Sequence, residues 1–376
     1  MKIESKLLIA ASLGLMSITS TAFAEEEVKA APTLGSVLEA SGITATGYVA
    51  ASAYTQDSNT ANHQFDANHE GFQLDQAALT LAYQPETGFG GLVNVIAGED
   101  ARTINSATGP GGKSSAFSVF QAYVQYKGGP VTFMAGKMAT LAGAEVVAVS
   151  GNTNYSRSLL FFNEPLVHSG VRVSVAAGDM FTFTGGINNG WNYDSSYTSS
   201  KTAEVGIGFT PSKKFSLLAQ AYSGEDPVGL DLSGLGFTAT DRGKRTLIDL
   251  VATLNITDSM AFLVSYDNGK QDSDVGVSSL KWDGIAAYFN VAFNDQWRLS
   301  LRGETLKYKQ DGASDAKYDE FTATVGFAPV KSFEFRGEVR VDSSNKIGGN
   351  GLFTKFSNGD PTDSGTELAL QAVYKF

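Results

Sequence analysis

The sequence predicts an all-β fold, a transmembrane antiparallel up-and-down β-barrel of about 16 strands with short periplasmic turns and long extracellular loops. Three observations predict it. The first is the final stretch, Thr366–Phe376, in which Leu368, Leu370, Ala372, Tyr374 and Phe376 alternate with Glu367, Gln371 and Lys375. A period of two is an extended strand with one apolar face and one wet face. Ending that strand on an aromatic suits a last strand that closes the sheet on the first. The second is Phe333–Asp342, where Glu334, Arg336, Glu338, Arg340 and Asp342 interleave with Phe333, Phe335, Gly337, Val339 and Val341. A soluble sandwich also has strands with one solvated face, so a single strand does not decide. The third observation does: strand, long polar loop, strand and short turn recur along the whole chain.

The elements follow in order. Met1–Ala24 reads as a signal peptide, with Lys2 and Lys6, the short apolar core Leu7–Met16 and the small-x-small site Ala22-Phe23-Ala24. Residues 25–42 are expected to form a periplasmic lead, with a short helix over Leu34–Ala40 capped by Thr33. The barrel is assigned to residues 43–376. Its expected strands are Ile43–Tyr54, Gly71–Tyr83, Phe89–Gly98, Phe117–Tyr126, Val131–Met138, Ser169–Ala176, Phe181–Asn188 and Thr202–Phe209. Phe215–Tyr222, Arg245–Ile256, Met260–Asp267, Asp283–Phe293, Trp297–Lys307, Tyr318–Phe327, Phe333–Asp342 and the terminal strand complete the set. In Phe117–Tyr126 the alternation places Phe120, Ala122, Val124 and Tyr126 on the apolar face. Thr55–Glu70, Glu99–Ala116 and Ser343–Gly365 are expected to be long loops.

Composition agrees. The formal charge of −11 argues against nucleic acid, which calls for clustered Lys and Arg. There is no cysteine, so the sheet holds without disulfides. Outside the leader no apolar run approaches the roughly 20 residues of a spanning helix. Tyr83, Tyr126, Phe209, Phe215, Phe293, Trp297, Phe327, Phe333 and Phe376 all flank short turns or the carboxy terminus. At one height on a barrel they form an interfacial aromatic girdle.

If hydrocarbon touches one face, the polar rows face inward. Arg172, Asp249, Arg298, Arg302, Glu304, Glu334, Arg336, Glu338 and Arg340 are then the expected pore lining, with Glu204, Gln220 and Glu367 beside them. Pairing across strands and selecting solutes are both open roles for these charges. The interruption Ala139–His168 carries Leu159, Leu160, Phe161 and Phe162 together, which a surface loop has little reason to do. It is expected to fold into the barrel as a constriction, with Glu145, Arg157 and Glu164 near the eyelet. A lid or subunit contact on the outer surface is the alternative.

Several segments resemble a known family. Leu34–Tyr54, Phe120-Gln121-Ala122-Tyr123, Tyr155-Ser156-Arg157-Ser158, His168-Ser169-Gly170-Val171 and Asn189-Gly190-Trp191-Asn192 resemble, in order, the OmpL-like β-barrel porins, the family called putative β-barrel porin 2. The likeness covers most of the mature chain. It implies an outer-membrane diffusion pore of a Gram-negative bacterium, and supplies neither a substrate nor binding residues.

The expected function is passive passage of small hydrophilic solutes and ions, with no catalytic residues, cofactor or resident metal. The net charge predicts a mild cation preference, which the inward arginines oppose. Expected partners are outer-membrane lipid and lipopolysaccharide, with a homotrimer left open. Two rivals remain. An outer-membrane enzyme would have to use the histidines, of which His63 and His69 share the first long loop with Asp57, Asp66 and Glu70; a solvated polar loop is the plainer account. A closed structural or adhesin barrel would work through its loops, where Asp272, Asp274, Asp311 and Asp315 are candidates to bridge lipopolysaccharide through divalent ions.

Overall fold

A sheet that crosses lipid cannot leave an edge, because each unpaired backbone group in hydrocarbon costs several kcal/mol. In the computed structural model every barrel strand has two antiparallel neighbours and the sheet closes on itself. The structure describes residues 34–60, 62–66, 68–108, 114–193, 201–233, 237–274, 276–345 and 353–376. The leader and most of the lead segment lie outside the described residues. Just before the barrel comes α1, Leu34–Ser41.

The sixteen barrel strands are numbered here in chain order. They are β1 Thr44–Gln56, β2 Glu70–Tyr83, β3 Gly88–Ala97, β4 Phe117–Gly128, β5 Val131–Ala139, β6 Val167–Ala177, β7 Phe181–Asn188 and β8 Thr202–Ser212. Then come β9 Phe215–Asp226, β10 Gly243–Thr257, β11 Met260–Gln271, β12 Leu280–Ala292, β13 Trp297–Lys309, β14 Ala316–Val330, β15 Phe333–Ser344 and β16 Ser364–Lys375. Closure pairs β1 with β16, from Tyr48 opposite Lys375 to Gln56 opposite Glu367. The carboxy-terminal residue joins the seam: Gly47 and Phe376 exchange backbone hydrogen bonds of 2.9 Å. Gly47 has no room for a side chain, since a Cβ there would strike the Phe376 ring.

The two faces separate as the alternation requires. On β16, Leu368, Leu370 and Tyr374 are exposed while Glu367, Gln371 and Val373 are buried. On β15, Phe335, Val339 and Val341 are exposed while Arg336, Glu338, Arg340 and Asp342 are buried. The turn-side aromatics Tyr83, Tyr126, Phe293, Trp297 and Phe376 lie on the exposed surface. Their neighbours extend the belt, with Trp297 and Phe327 rings 4.5 Å apart and Phe181 and Phe209 rings 4.8 Å apart.

Two bulges break the alternation that the sequence predicts. Between β3 and β4 the register skips Phe120, so Phe120 turns inward and is buried, while Val119 and Val124 stay outside. The expectation that Phe120 shares a face with Val124 and Tyr126 is therefore corrected: the extra residue of a bulge shifts every side chain before it by one position. Between β1 and β2 the register skips Asp75, which places Asp75 and Gln76 both inside, between the outward Leu74 and Leu79.

The long loops hold structure of their own. Glu99–Ala116 is not a plain loop, because Glu99–Ala107 forms α2 with Asp100, Ala101 and Ile104 buried. Segments Ser58–Thr60, Phe353–Lys355 and Pro361–Thr362 pair into a small sheet above the seam.

The lipid face sets a quantitative expectation. Leu370 sits mid-strand and outside, so Leu370→Arg should destabilise the folded barrel by about 2–4 kcal/mol in vesicles. The same change at exposed loop residue Asp311 should stay within about 0.5 kcal/mol. Urea titration of both variants in lipid measures the difference.

Candidate functional site

The segment between β5 and β6 lies inside the barrel. It leaves the long-loop end after Ala139, runs toward the short-turn end, and returns to Val167. At its root, Tyr222 Oη accepts from the Leu141 amide at 3.1 Å, and Asn192 Oδ1 accepts from the Leu166 amide at 2.6 Å. Its tip reaches the far end: Arg298 donates to the Thr153 carbonyl at 2.7 Å, and Lys375 to the Ser150 carbonyl at 3.5 Å. Between these ends it forms a 3-10 turn, Val149–Gly151, and α3, Leu159–Phe162, with the Ser158 hydroxyl capping α3 by accepting from the Phe161 amide.

Irregular backbone taken out of water must still satisfy its amides and carbonyls. The wall charges do this. Glu338 accepts from the Tyr155 and Ser156 amides at 2.7 and 2.9 Å. Glu304 accepts from the Leu159 and Leu160 amides at 2.8 and 3.3 Å, at the amino-terminal end of α3. Arginines take the carbonyls: Arg302 donates to Ser156, Arg340 to Arg157, and Arg336 to Val149. Carboxylates on amides and guanidiniums on carbonyls are charge-assisted bonds, each stronger than a neutral pair.

Each residue that the sequence singled out has a definite place. Arg302 reaches Glu145 at 2.9 Å and Glu320 at 3.0 Å and is fully buried. Arg340 chelates Asp342 through two 2.8 Å bonds and is also fully buried. Arg336 bonds Glu334 and Gln371. Arg298 pairs with Glu334 at 2.5 Å near the short-turn mouth, where both keep some solvent contact. Arg172 pairs with Glu204 on the opposite wall and holds the Ala139 carbonyl. Asp249 is buried on β10. In the segment, Glu145 accepts from the Ser158 amide, and Arg157 donates to the Val146, Val147 and Tyr155 carbonyls. Glu164 packs beside Asp249 and Asp267. Burial, then the charges of Asp267, Asp249, Glu145 and Glu304, push its carboxyl well above the usual range.

This corrects one expectation in detail. Arg172, Asp249, Arg302, Glu304, Arg336, Glu338 and Arg340 face inward but are buried, and residues 140–166 cover Arg302 and Arg340. Arg157 likewise is 2 % exposed and knits its own loop together. Besides Arg298 and Glu334 at the short-turn mouth, and Gln121 and Tyr123 on β4, inward side chains on the wall from β5 to β12 keep solvent contact in the short-turn half. They include Thr132, Ser174, Thr184, Ser216, Thr253 and Asn290, none of them charged.

His63 and His69 do not form a pair. His69 is exposed and stacks on Phe356 at 4.2 Å. His63 is buried against Asp342 at 3.2 Å and Asp66 at 3.4 Å, so the solvated-loop account fails for it. Burial and Arg340 pull its ring pKa down, but Asp66 and Asp342 outweigh them and raise it to about 10. The ring ties the first long loop to β15 through Asp342.

On the long-loop half, residues from the loop between β9 and β10 also turn inward. Leu232 and Phe237 are buried in a cluster with Leu160, Trp282, Tyr308 and Tyr318. No alternation signals this contact. Only the concentration of apolar residues in a loop, Val228, Leu230, Leu232 and Phe237, hints at it.

The comparisons with known proteins agree with this geometry. A family model described as Putative beta-barrel porin-2, OmpL-like, matches residues 42–376. No curated protein sequence matches the chain. Among solved structures it is similar to in-vitro folded OmpT of Vibrio cholerae in its trimer form, at 13 % identity and a TM-score of 0.64, over 89 % of this chain and 99 % of that one. It is similar to the outer membrane channel DcaP of Acinetobacter baumannii at 12 % identity and a TM-score of 0.59, over 89 % and 97 %. An anion-selective porin from Comamonas acidovorans matches at 12 % identity and a TM-score of 0.58, over 89 % and 99 %. At such identities these likenesses carry the fold alone.

The anchoring of the segment is testable. Glu338→Ala strands two buried amides, at about 1–3 kcal/mol each. Amide exchange at Tyr155 and Ser156 should then accelerate by about tenfold or more, with the β15–β16 amides unchanged. Hydrogen-exchange mass spectrometry of the refolded variant measures both.

Proposed function

The chain belongs to the OmpL-like porin-2 family of outer-membrane β-barrels, and on that premise we propose that it is a passive diffusion channel for small hydrophilic solutes and ions, narrowed by the inserted segment 139–168. The observation that carries this reading is the asymmetry of the interior. The segment docks on β13 to β16, β1 and β2, while the opposite wall keeps a band of uncharged side chains in contact with solvent. Solutes pass between that wall and the segment, filtered by width and by the few charges that stay exposed. Most inward arginines have carboxylate or carbonyl partners, so the field they present to a passing ion is weak. The net charge of −11 then sets a mild cation preference.

The finer proposals rest on the sequence. Residues 1–24 direct export and are removed, and residues 25–42 stand on the periplasmic side. Lipid and lipopolysaccharide surround the barrel. A homotrimer is supported by small residues on the outer face near the seam, Ala51, Ala53, Gly337 and Ala372, which leave an apolar groove bordered by Phe72, Phe335 and Leu370 for a second copy.

One observation favours a second reading, a closed structural barrel. The buried cluster of Leu232, Phe237, Trp282, Tyr308, Tyr318 and Phe353 packs protein across part of the long-loop half. Planar-bilayer recording separates the two. Wild type should conduct steadily, and removing residues 146–156 should raise the single-channel conductance severalfold, on the order of 2–5 times. Silence in both proteins would support the closed barrel, and equal conductance in both would remove the segment from the pathway.

A further inference from the structure

Most carboxylate clusters inside the barrel contain a cation. Arg302 serves Glu145 and Glu320, Arg172 serves Glu204, and His63 with Arg340 serves Asp66, Asp342 and Glu367. One cluster has none. Asp249 on β10 and Asp267 on β11 are register partners with inward side chains, and Glu164 from the root of the inserted segment comes down between them. The three present ligand oxygens within 4.8 Å of one another, and all three residues are buried.

A cluster of acids alone would say little, but the oxygens here are unsatisfied. Both carboxylate oxygens of Asp249, both of Asp267, and Oε2 of Glu164 are buried without a hydrogen bond of good geometry, and the Gly143 amide lies near Asp249. Asp249 and Asp267 are completely shielded from solvent. The two nearest further carboxylates are committed elsewhere, Glu145 to Arg302 and the Ser158 amide, Glu304 to the amides of α3. The segment makes room for this meeting at Gly143, which has a φ of +85° and where a Cβ would land on the Glu164 carboxylate. Buried carboxylates in mutual contact are costly unless something positive joins them.

We propose that Glu164, Asp249 and Asp267 hold a divalent cation, Ca2+ in preference to Mg2+, that fastens the root of the segment to β10 and β11. The donors are all oxygens, which selects a hard cation over zinc or copper. Ca2+ lies about 2.3–2.6 Å from its ligands, so two ligands facing each other across it stand up to about 5 Å apart, which this cluster permits; Mg2+ needs a tighter octahedron. Water completes the shell. Loading the site adds a further tie between the segment and the wall, on the strands β10 and β11. The site requires only the docked segment and holds whether or not the barrel conducts.

Calorimetry tests it on the full mature chain, refolded in detergent, stripped with EDTA and titrated with CaCl2. The supporting result is one saturable site in wild type, weakened about tenfold or more in both Asp267→Asn and Glu164→Gln. Asp179→Asn, in an exposed short turn, should bind as wild type does. The heat-modifiable gel shift of a closed barrel confirms that each variant is folded. A flat wild-type titration overturns the proposal, as does binding unchanged in both cluster variants. Because the readout is heat of binding rather than current, failure here is distinct from failure of the channel reading.

Discussion

Glu338 on β15 accepts hydrogen bonds from two consecutive backbone amides of a segment far away in sequence, and the interior is built on repetitions of that contact. Hydrocarbon outside forces charge inward, since an arginine on the lipid face near the midplane costs about 2–4 kcal/mol. Once inside, a charge needs water or a partner. On β13 to β15 the partner is the main chain of residues 140–166, whose irregular backbone has no ladder of its own. Carboxylates stand in for strand carbonyls and guanidiniums for strand amides. The alternating row of β15 thus serves as the docking strip for a loop, a role distinct from both cross-strand pairing and solute selection.

That docking fixes where water can be. The segment covers Arg302 and Arg340 and leaves solvent to the opposite wall, where Thr132, Ser174, Thr184 and Ser216 are uncharged. Among the inward side chains described, the charges that keep solvent contact gather at the short-turn mouth, around Arg298, Glu334 and Lys375. On the channel reading proposed above, selection by charge belongs to that entrance, while width belongs to the middle. The aromatic contacts of Leu159 and Leu160 explain why the segment is apolar on one side and polar on the other. Its apolar side packs into the cluster on β12 to β14, on the same wall as the charged row that takes its backbone.

Much of the fold was legible. Strand count, closure and the girdle follow from alternation, short turns and the placement of Phe293, Trp297 and Phe333. The helix α2 was missed, because Glu99–Ala116 was expected to be a loop, although the acidic first turn Glu99-Asp100 and the spacing of Ala101 and Ile104 signal it. The bulges were not legible, because skipping Phe120 or Asp75 leaves composition unchanged and shifts only the phase. Of the three buried carboxylates in the cluster, two were within reach. Counting back from the turn Thr257-Asp258-Ser259 pairs Asp249 with Asp267 directly. Glu164 was hidden, since nothing in a loop sequence says which strand it will meet.

The central claim is that the segment runs through the barrel against an inward-facing charged wall. The chain has no cysteine, so an engineered pair reports without background. Asn154 Nδ2 lies 2.6 Å from Thr324 Oγ1 on β14, joining the tip of the segment to the wall. In the Asn154→Cys, Thr324→Cys double variant, folded in lipid and oxidised, near-complete disulfide formation is the predicted result. Two free thiols, with the one in the segment labelled from outside by a membrane-impermeant reagent, would contradict it.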